Sequence, residues 1–141
     1  MENQTSRKLK MLGMLLFLLG LITGFFLMSL KNPRMGLAAH MEGVMNGTFL
    51  VVTGLVWNEL KLSEKLSKIL LVTLLYGTFA NWLFTLLSAL LGTSKMTPLS
   101  GAGFTGTDFH ESLVQAGLVS VGLTMVYSLI VIIYGLRGKR F

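Results

Sequence analysis

The sequence contains no cysteine, and it has only two prolines and two histidines. Without cysteine, neither disulfides nor thiolate metal sites are available to the chain. Charged residues are also scarce, at 13% of 141 residues, whereas 52% of the residues are hydrophobic. The mean hydropathy of +0.70 lies outside the range of an ordinary soluble domain. A globular core of this size would not hide so much apolar surface, so we expect lipid to surround most of the chain.

The positive charge of the chain is distributed as it is beside membrane helices. The formal net charge is +6 at pH 7, and a basic protein of this kind often binds nucleic acid. Here, however, the twelve lysines and arginines stand in short clusters between apolar runs. Such clusters are typical of the flanks of membrane spans. We therefore expect a lipid bilayer around the chain and no nucleic-acid partner.

Four apolar runs predict a single transmembrane domain covering residues 1–141. The first run has twenty residues without a charge, enough for a helix to cross a hydrocarbon core of about 30 Å. We interpret it as a retained span and not as a signal peptide, because no small-residue cleavage site follows it. The predicted spans are approximately residues 11–30, 35–57, 69–92 and 112–136.

The distribution of lysine and arginine predicts the orientation of these spans. With a cytoplasmic N-terminus, nine of the twelve lie in the N-terminal tail, the 58–68 connector and the C-terminal tail. Cytoplasmic loops carry the excess of positive charge in membrane proteins. The expected fold is therefore an all-α integral membrane protein, a four-helix transmembrane bundle with both termini cytoplasmic.

The segment 31–47, KNPRMGLAAHMEGVMNG, brings polar groups into the second predicted span. It contains the histidine His40, the carboxylate Glu42 and the amide Asn46. An ionisable group in the middle of a membrane helix costs about 2.5–3.5 kcal/mol on insertion scales, so its presence indicates a functional site.

His40 has three alternative explanations. A histidine near a helix end can extend towards the lipid headgroups. It can also bind a metal, but zinc needs three or four ligands and the only other histidine is His110, in a loop. A haem needs only one protein ligand and a flat slot. Gly43 and Gly47 share the helix face of His40, and such a face accepts either a second helix or a flat ring.

The third span carries a stripe of small and polar residues that includes Gly77 and Asn81. Asn81 suits either a hydrogen bond between helices or a substrate site, and Tyr76 belongs to an aromatic cluster that is able to line an aromatic substrate. Before the fourth span, we expect Asp108 to cap the helix. We expect Glu111 to interact favourably with the positive end of the helix dipole. No nucleophile–base pair, phosphate loop or carboxylate dyad indicates a hydrolase or a kinase.

Two segments, KNPRMGLAAHMEGVMNGTFLVVTGLVW and LYGTFANWLFTLL, resemble the bacterial hydroxylaminobenzene mutase family. The chain is more distantly similar to styrene oxide isomerases, through the pattern A-H-x5-N-G at Ala39, His40, Asn46 and Gly47 and the A-N pair that ends at Asn81. The first resemblance covers most of the chain, and the second rests on these few positions.

The resemblance implies an isomerase of the bacterial inner membrane. The mutase family rearranges an N-arylhydroxylamine to an ortho-aminophenol in nitroaromatic degradation, and the isomerase family converts an aryl epoxide to an aldehyde. Both reactions are redox-neutral and act on a small aromatic substrate. By resemblance to the isomerases, we expect a ferric haem b and a homotrimer.

The same resemblance assigns roles to individual residues. His40 corresponds to the axial haem ligand, and therefore to the metal ligand, and Asn46 to a substrate-positioning amide. The tyrosine and aspartate of the isomerases fall at Thr85 and Gly77, so a second polar contact must come from elsewhere. The resulting expectation is that the catalytic residues are Asn46, Asn81 and Tyr76 and that the cofactor-binding residues are His40, Gly43, Gly47 and Arg34, with Lys31 as a further partner for the propionates.

Three alternatives remain at this point. The chain is able to act on an aryl epoxide as a styrene oxide isomerase does. A small four-helix exporter of cationic drugs is an alternative from a different class, and it needs an acid deep in a span, for which Glu42 is the one candidate. A haem-bearing electron carrier is less favoured because a low-spin site usually has two axial ligands.

Overall fold

The computed structural model describes residues 4–138, and every long element in this range is an α-helix. No strand occurs in this range, which confirms the prediction of an all-helical chain. Two short 3₁₀ turns, Leu27–Ser29 and Trp57–Glu59, follow the first and second helices. The helices are α1 (Gln4–Phe25), α2 (Pro33–Val56), α3 (Glu64–Leu91) and α4 (Asp108–Leu136).

Three of the four helices, α1, α3 and α4, are long and apolar enough to cross a membrane by their length and composition. They indicate a membrane protein. Helix α2 is 24 residues long, but its apolar surface is interrupted by polar residues that include His40, Glu42 and Asn46.

All four helices begin earlier than their apolar runs predict, α1 and α3 by the most. Helix α1 begins at Gln4 and α3 at Glu64, because apolarity marks the part of a helix in lipid and not its polar first turn. At α3 the Ser63 hydroxyl accepts the N–H of Leu66 at 3.3 Å and caps that turn. Helix α1 also ends earlier than predicted, at Phe25, where the chain tightens into a 3₁₀ turn.

The start of α2 is determined by Asn32 and Pro33. The side chain of Asn32 accepts the N–H groups of Arg34 at 3.0 Å and Met35 at 3.2 Å, and Pro33 occupies the first helical position, where no N–H is needed. Asn32 is fully buried, and its amide donates to the carbonyl of Ser100 at 2.9 Å. One residue therefore caps α2 and joins it to the loop before α4.

The cap of α4 is Thr107, and the prediction of Asp108 was wrong. The Thr107 hydroxyl accepts the N–H of His110 at 3.2 Å, and Asp108 is the first residue inside the helix, with an exposed side chain. The threonine has the extended backbone that a cap requires, which leaves the aspartate free to face solvent.

Glu111 organises the loop between α3 and α4. Its side chain is buried, and its oxygens accept N–H groups from Ser94 at 3.0 and 3.1 Å, Lys95 at 2.9 Å and Gly106 at 3.0 Å. A buried carboxylate is tolerated when hydrogen bonds satisfy it. Glu111 therefore holds both ends of the loop, a larger role than the predicted effect on the helix dipole.

Helices α1 and α2 approach closely because glycines line their contact. A Cβ atom added at Gly20 would lie 2.6 Å from the backbone nitrogen of Val44, and one added at Gly13 would lie 2.7 Å from the carbonyl oxygen of Gly47. No carbon atom fits at these distances. Contacts through small residues are typical of helix pairs in membranes.

The helices pack in chain order, with α1 on α2, α2 on α3 and α3 on α4. Buried apolar side chains from all four helices meet near the 57–63 connector. This cluster lies at one end of the helices. In the middle and at the far end, the helices contact one another through glycines and polar groups. The cluster consists of Leu9, Leu16, Leu50, Trp57, Leu70, Leu74, Val131 and Ile132.

Candidate active site

His40 lies on the side of α2 that contacts α1. Its ring nitrogen Nδ1 is 2.8 Å from the carbonyl oxygen of Gly20. Because a carbonyl oxygen can only accept a hydrogen bond, Nδ1 carries a proton, and in the neutral imidazole Nε2 then carries the lone pair. Histidines that bind metals typically donate their other ring N–H to a carbonyl or carboxylate in this way. The bond to Gly20 therefore fixes the orientation of the ring and leaves Nε2 as its second nitrogen atom.

The ring has room because residue 24 is a glycine. A Cβ atom at Gly24 would lie 2.8 Å from Nδ1 of His40. Nothing in residues 4–138 donates to Nε2, and within that range every buried side-chain nitrogen or oxygen atom has a hydrogen-bond partner. Nε2 is therefore accessible from outside the chain.

An apolar groove of about 350 Å³ lies beside His40. This volume is within the range of about 300–1,000 Å³ that is usual for small-molecule sites. Leu21, Phe25 and Leu37 are exposed, so the groove opens to the outside of the protomer. His40 lies about 10 Å along α2, at 1.5 Å per residue, and its ring is bonded to α1. The groove is lined by Leu21, Gly24, Phe25, Leu27, Leu37 and His40.

A second polar group joins α2 to α3. The Oε2 atom of Glu42 accepts hydrogen bonds from the side-chain amides of Asn46 at 2.9 Å and Asn81 at 2.5 Å. Glu42 is about 14 Å from the start of α2 and Asn81 about 15 Å from the end of α3, by the rise per residue. Since the two helices are antiparallel, Glu42 and Asn81 lie at the same depth, and Asn46 lies about one turn further along α2. We call Glu42, Asn46 and Asn81 the acceptor cluster.

Glu42 was expected among the polar groups of the second span, but only Asn46 and Asn81 of this cluster were predicted to be catalytic. One signal was present, because Glu42 and Asn46 are four residues apart and therefore neighbours on a helix. The partner on α3 is 39 residues from Glu42, and no spacing rule connects them. The structure makes Glu42 the centre of the cluster.

His40 and the acceptor cluster lie on different sides of α2. Six residues separate His40 from Asn46, which corresponds to about 120° around a helix. Accordingly His40 contacts α1, whereas Glu42 contacts α3 through Asn81. The structure thus brings Asn46 and Asn81 together but does not bring either of them to His40 within one protomer.

Gly43 and Gly47 are covered by α1, so the expectation that they form a surface for a flat ring is corrected. A Cβ atom at Gly47 would lie 2.5 Å from the backbone nitrogen of Phe17, and Gly43 contacts the backbone of Gly20 equally closely. Of the two alternatives for a glycine face, a second helix is the one that the structure contains.

Arg34 and Lys31 both donate to backbone carbonyl groups at the loop end of the molecule. The Arg34 guanidinium donates to Ala102, and Nζ of Lys31 donates to Leu91 at 3.0 Å. Both side chains belong to exposed residues. Their role as partners of haem propionates stays a prediction.

Tyr76 joins α3 to α4 and does not face the acceptor cluster. Its hydroxyl is 2.6 Å from the hydroxyl of Ser120, and Tyr76 lies five residues, or about 140° around the helix, from Asn81. A hydrogen bond between helices accounts for its polar group, so we leave Tyr76 out of the proposed site.

No group of three or more histidine, aspartate or glutamate side chains that could hold a metal ion occurs among residues 4–138. This part of the chain contains one accessible imidazole beside an apolar groove, and one carboxylate that accepts hydrogen bonds from two amides. Together with three helices that are long and apolar enough to cross a membrane, these features indicate a membrane protein with a groove of the size that small-molecule sites have.

The comparisons with known proteins identify the family. The family model for styrene oxide isomerase matches residues 5–137, and the chain belongs to this family. It is 44% identical over 134 residues to hydroxylaminobenzene mutase HabB of Ectopseudomonas oleovorans, covering 94% of this chain and 82% of that protein. It is 38% identical over 125 residues to hydroxylaminobenzene mutase HabA of the same organism, covering 88% of this chain and 93% of that protein. No solved structure gives a significant match.

The chain is therefore an enzyme, an isomerase or mutase. This result confirms the resemblance seen in the sequence. It also favours the enzyme over the drug exporter, the alternative that relied on Glu42.

Proposed function

We propose that this protein rearranges an N-arylhydroxylamine, such as hydroxylaminobenzene, to an ortho-aminophenol. The observation that carries the proposal is the 44% identity, over nearly the whole chain, to a protein named hydroxylaminobenzene mutase. The acceptor cluster supports it, because an arylhydroxylamine carries N–H and O–H donors that carboxylate and amide oxygens bind.

His40 would hold a ferric haem b through Nε2. The support is the Nδ1 proton donated to Gly20, the accessible Nε2 atom and the apolar groove beside the ring. When bound, the haem supplies a Lewis acid that weakens the N–O bond. Arg34 is the nearest arginine along α2. Its guanidinium would bind a haem propionate in place of the Ala102 carbonyl to which it now donates.

The other residues of the site position the substrate and keep water away. Asn46 is buried and is held by Glu42, so its amide oxygen has a fixed position from which to accept a substrate N–H or O–H. The surrounding membrane and the apolar groove exclude bulk water, which would otherwise intercept an activated aromatic ring.

The site would be completed by a second copy of the chain in a homotrimer. His40 and Asn46 face different sides of α2 and the groove of His40 opens outward, so a site that uses both residues needs a neighbouring protomer. The number three comes from the resemblance to the isomerases. The mass of the purified protein in detergent tests it, and a monomeric active enzyme would contradict it.

The membrane arrangement would be that of a four-span protein of the bacterial inner membrane. Helix α2, at 24 residues, is about 36 Å long, enough to cross the core as a fourth span. With nine of twelve lysines and arginines on one side, both termini would be cytoplasmic.

The family model favours a second candidate function, the rearrangement of an aryl epoxide to an aldehyde. The two candidate substrates differ in their hydrogen-bond donors, because an arylhydroxylamine has N–H and O–H groups and an epoxide has neither. Competition between phenylhydroxylamine and styrene oxide for the purified enzyme would separate them.

The proposed reaction is tested by incubating membranes that contain the protein with phenylhydroxylamine, without NAD(P)H or another reductant. We expect 2-aminophenol as the main product, at the same rate whether or not NAD(P)H is present. Membranes from cells without the protein are the control. A dependence on reductant, or aniline as the product, would contradict an isomerase acting on this substrate.

A further inference from the structure

We propose that Glu42 carries a proton from the aromatic ring to the nitrogen atom of the substrate, and that Asn46 and Asn81 hold its carboxylate in position for this transfer. The inference rests on the proposed function, since it assumes an arylhydroxylamine as the substrate.

The first argument is the asymmetry of the Glu42 carboxylate. Both amides donate to the same oxygen, Oε2, at 2.9 and 2.5 Å. No residue between 4 and 138 donates to Oε1, and no buried side-chain oxygen in that range lacks a partner, so Oε1 is accessible. One oxygen is thus fixed by the protein and the other is free to meet a substrate.

The amide oxygens of the cluster are also free to accept. Asn46 and Asn81 each use their NH₂ group on Glu42, and their oxygens receive no hydrogen bond from the described part of the chain. By the same reasoning as for Oε1, these oxygens are accessible. Three acceptors in one place complement the N–H and O–H groups of an arylhydroxylamine and have nothing to bind on an aryl epoxide.

The second argument is the chemistry of the reaction. The N–O bond breaks and the same oxygen forms a C–O bond at the ortho carbon, so the electron pair that leaves with oxygen returns to the ring. No oxidant or reductant is needed. The ortho carbon still carries its hydrogen, and the ring becomes aromatic again only when this leaves as a proton. Nitrogen gains one proton to become the amine.

A single carboxylate is sufficient for both proton transfers. Oε1 of Glu42 accepts the proton from the ortho carbon, the C–H electron pair restores the ring, and the carboxylic acid then donates the proton to nitrogen. Glu42 ends in the state in which it began. The epoxide rearrangement needs no such base, because its hydrogen moves within the substrate.

The position of Glu42 agrees with this role. The other acidic residues of the described chain lie in the connector or in the first turn of a helix, and only Glu42 lies near the middle of one. A carboxylate at this depth is costly unless it has a function. The remaining described acids are Glu59, Glu64, Asp108 and Glu111.

The test compares Glu42→Gln with Glu42→Asp and with the control Glu59→Gln, an exposed residue of the connector. Glutamine keeps the shape and accepts both amides but cannot take up the proton. We expect its kcat for phenylhydroxylamine to fall about 10²–10⁴-fold, with a much smaller change in KM, whereas aspartate retains part of the rate and Glu59→Gln retains all of it. Loss of the base also makes proton removal limiting, so substrate deuterated at both ortho positions should show a larger isotope effect with Glu42→Gln than with the unaltered enzyme.

Wild-type kcat in Glu42→Gln would overturn the inference and leave the proposed function intact. Absence of 2-aminophenol with the unaltered protein would instead overturn the proposed function.

A second measurement uses the unaltered protein and does not depend on the folding of a variant. The product 2-aminophenol should inhibit competitively, whereas 2-methoxy-N,N-dimethylaniline, which has no N–H or O–H donor, should inhibit at least tenfold more weakly. Equal inhibition by the two compounds would show that the acceptor cluster does not recognise donors, and the inference would be wrong.

Discussion

At the scale of the residue, the main feature is that the polar side chains of the candidate site have defined partners. The His40 ring is fixed by the Gly20 carbonyl, and Glu42 is fixed by two amides. Since an unpaired polar group is costly in an apolar environment, these pairs determine which atoms remain for a ligand. For His40 the remaining atom is Nε2, and for Glu42 it is Oε1.

A first prediction concerns the glycine behind the His40 ring. In Gly24→Ala the new methyl group would lie 2.8 Å from Nδ1, so the ring must move and its bond to Gly20 is lost. Because loss of such an outer partner typically costs 10–100-fold in metal affinity, we expect haem retention to fall by about that factor. Haem content per protein after purification measures it.

The control for this change is Gly122→Ala, where an added Cβ has no neighbour within 4 Å. It should retain the haem content of the unaltered protein. Equal haem content in the Gly24 and Gly122 variants would show that the ring does not depend on the space at Gly24.

At this scale the sequence identified the polar residues, whereas their roles in a site stay predictions. His40 and Asn46 stand out because polar residues are rare in an apolar run. The hydrogen bond from His40 to Gly20 and the one from Asn81 to Glu42 join different helices, and they depend on how the helices are rotated against one another. Composition and periodicity do not determine that rotation, so the bond from Asn81 to Glu42 and the bond between Tyr76 and Ser120 could not be predicted.

At the scale of the element, the contact between α1 and α2 determines the position of His40. The two backbones meet through Gly13, Gly20, Gly43 and Gly47, and this approach brings the Gly20 carbonyl within reach of the imidazole. Gly20 therefore takes part in both the helix contact and the orientation of the ring.

A second prediction follows for Gly43→Ala. The added methyl group would meet the backbone of Gly20, which can yield only if the helices separate. Such overpacking costs about 1–3 kcal/mol, and the thermal midpoint of the protein in detergent should fall. Because the same contact positions His40, haem content should fall with it.

Gly122→Ala again provides the comparison, since alanine is favoured over glycine in an open helical position by about 1 kcal/mol. It should leave the midpoint unchanged or raise it. A midpoint for Gly43→Ala equal to that of Gly122→Ala would mean that the close contact between α1 and α2 is absent.

The elements themselves were largely predictable from the sequence. Long apolar runs predicted four helices, and four are present in residues 4–138. Their ends were less well predicted, because Ser63 and Thr107 act as caps through local hydrogen bonds that hydropathy does not register. The buried Glu111 also looked like an ordinary helix-start residue, since its partners in the loop follow no regular spacing.

At the scale of the whole molecule, the chain-order packing of the helices leaves broad apolar faces exposed. Large apolar residues remain exposed on all four helices, which suits lipid and neighbouring protomers. His40 and the acceptor cluster lie on different sides of α2. In the proposed homotrimer, His40 of one protomer and the acceptor cluster of a neighbouring protomer would form one site.

A third prediction concerns the orientation of the protein in the membrane. Because the sequence contains no cysteine, single introduced cysteines can be labelled to test it. Single cysteines introduced by Leu99→Cys, in the loop between α3 and α4, and by Asn58→Cys, in the connector, lie at opposite ends of the helices. Leu99 is 89% exposed. In intact spheroplasts, an impermeable maleimide should label Leu99→Cys and should label Asn58→Cys only after lysis, because most lysines and arginines are expected inside. The reverse pattern would contradict cytoplasmic termini.

The most direct measurement of the central claim is the absorption spectrum of the detergent-purified protein beside that of His40→Ala, with mutase activity measured on the same samples. We predict a Soret band and formation of 2-aminophenol for the unaltered protein, and loss of both for His40→Ala. A colourless protein that still rearranges phenylhydroxylamine, or an unchanged Soret band in His40→Ala, would contradict the account.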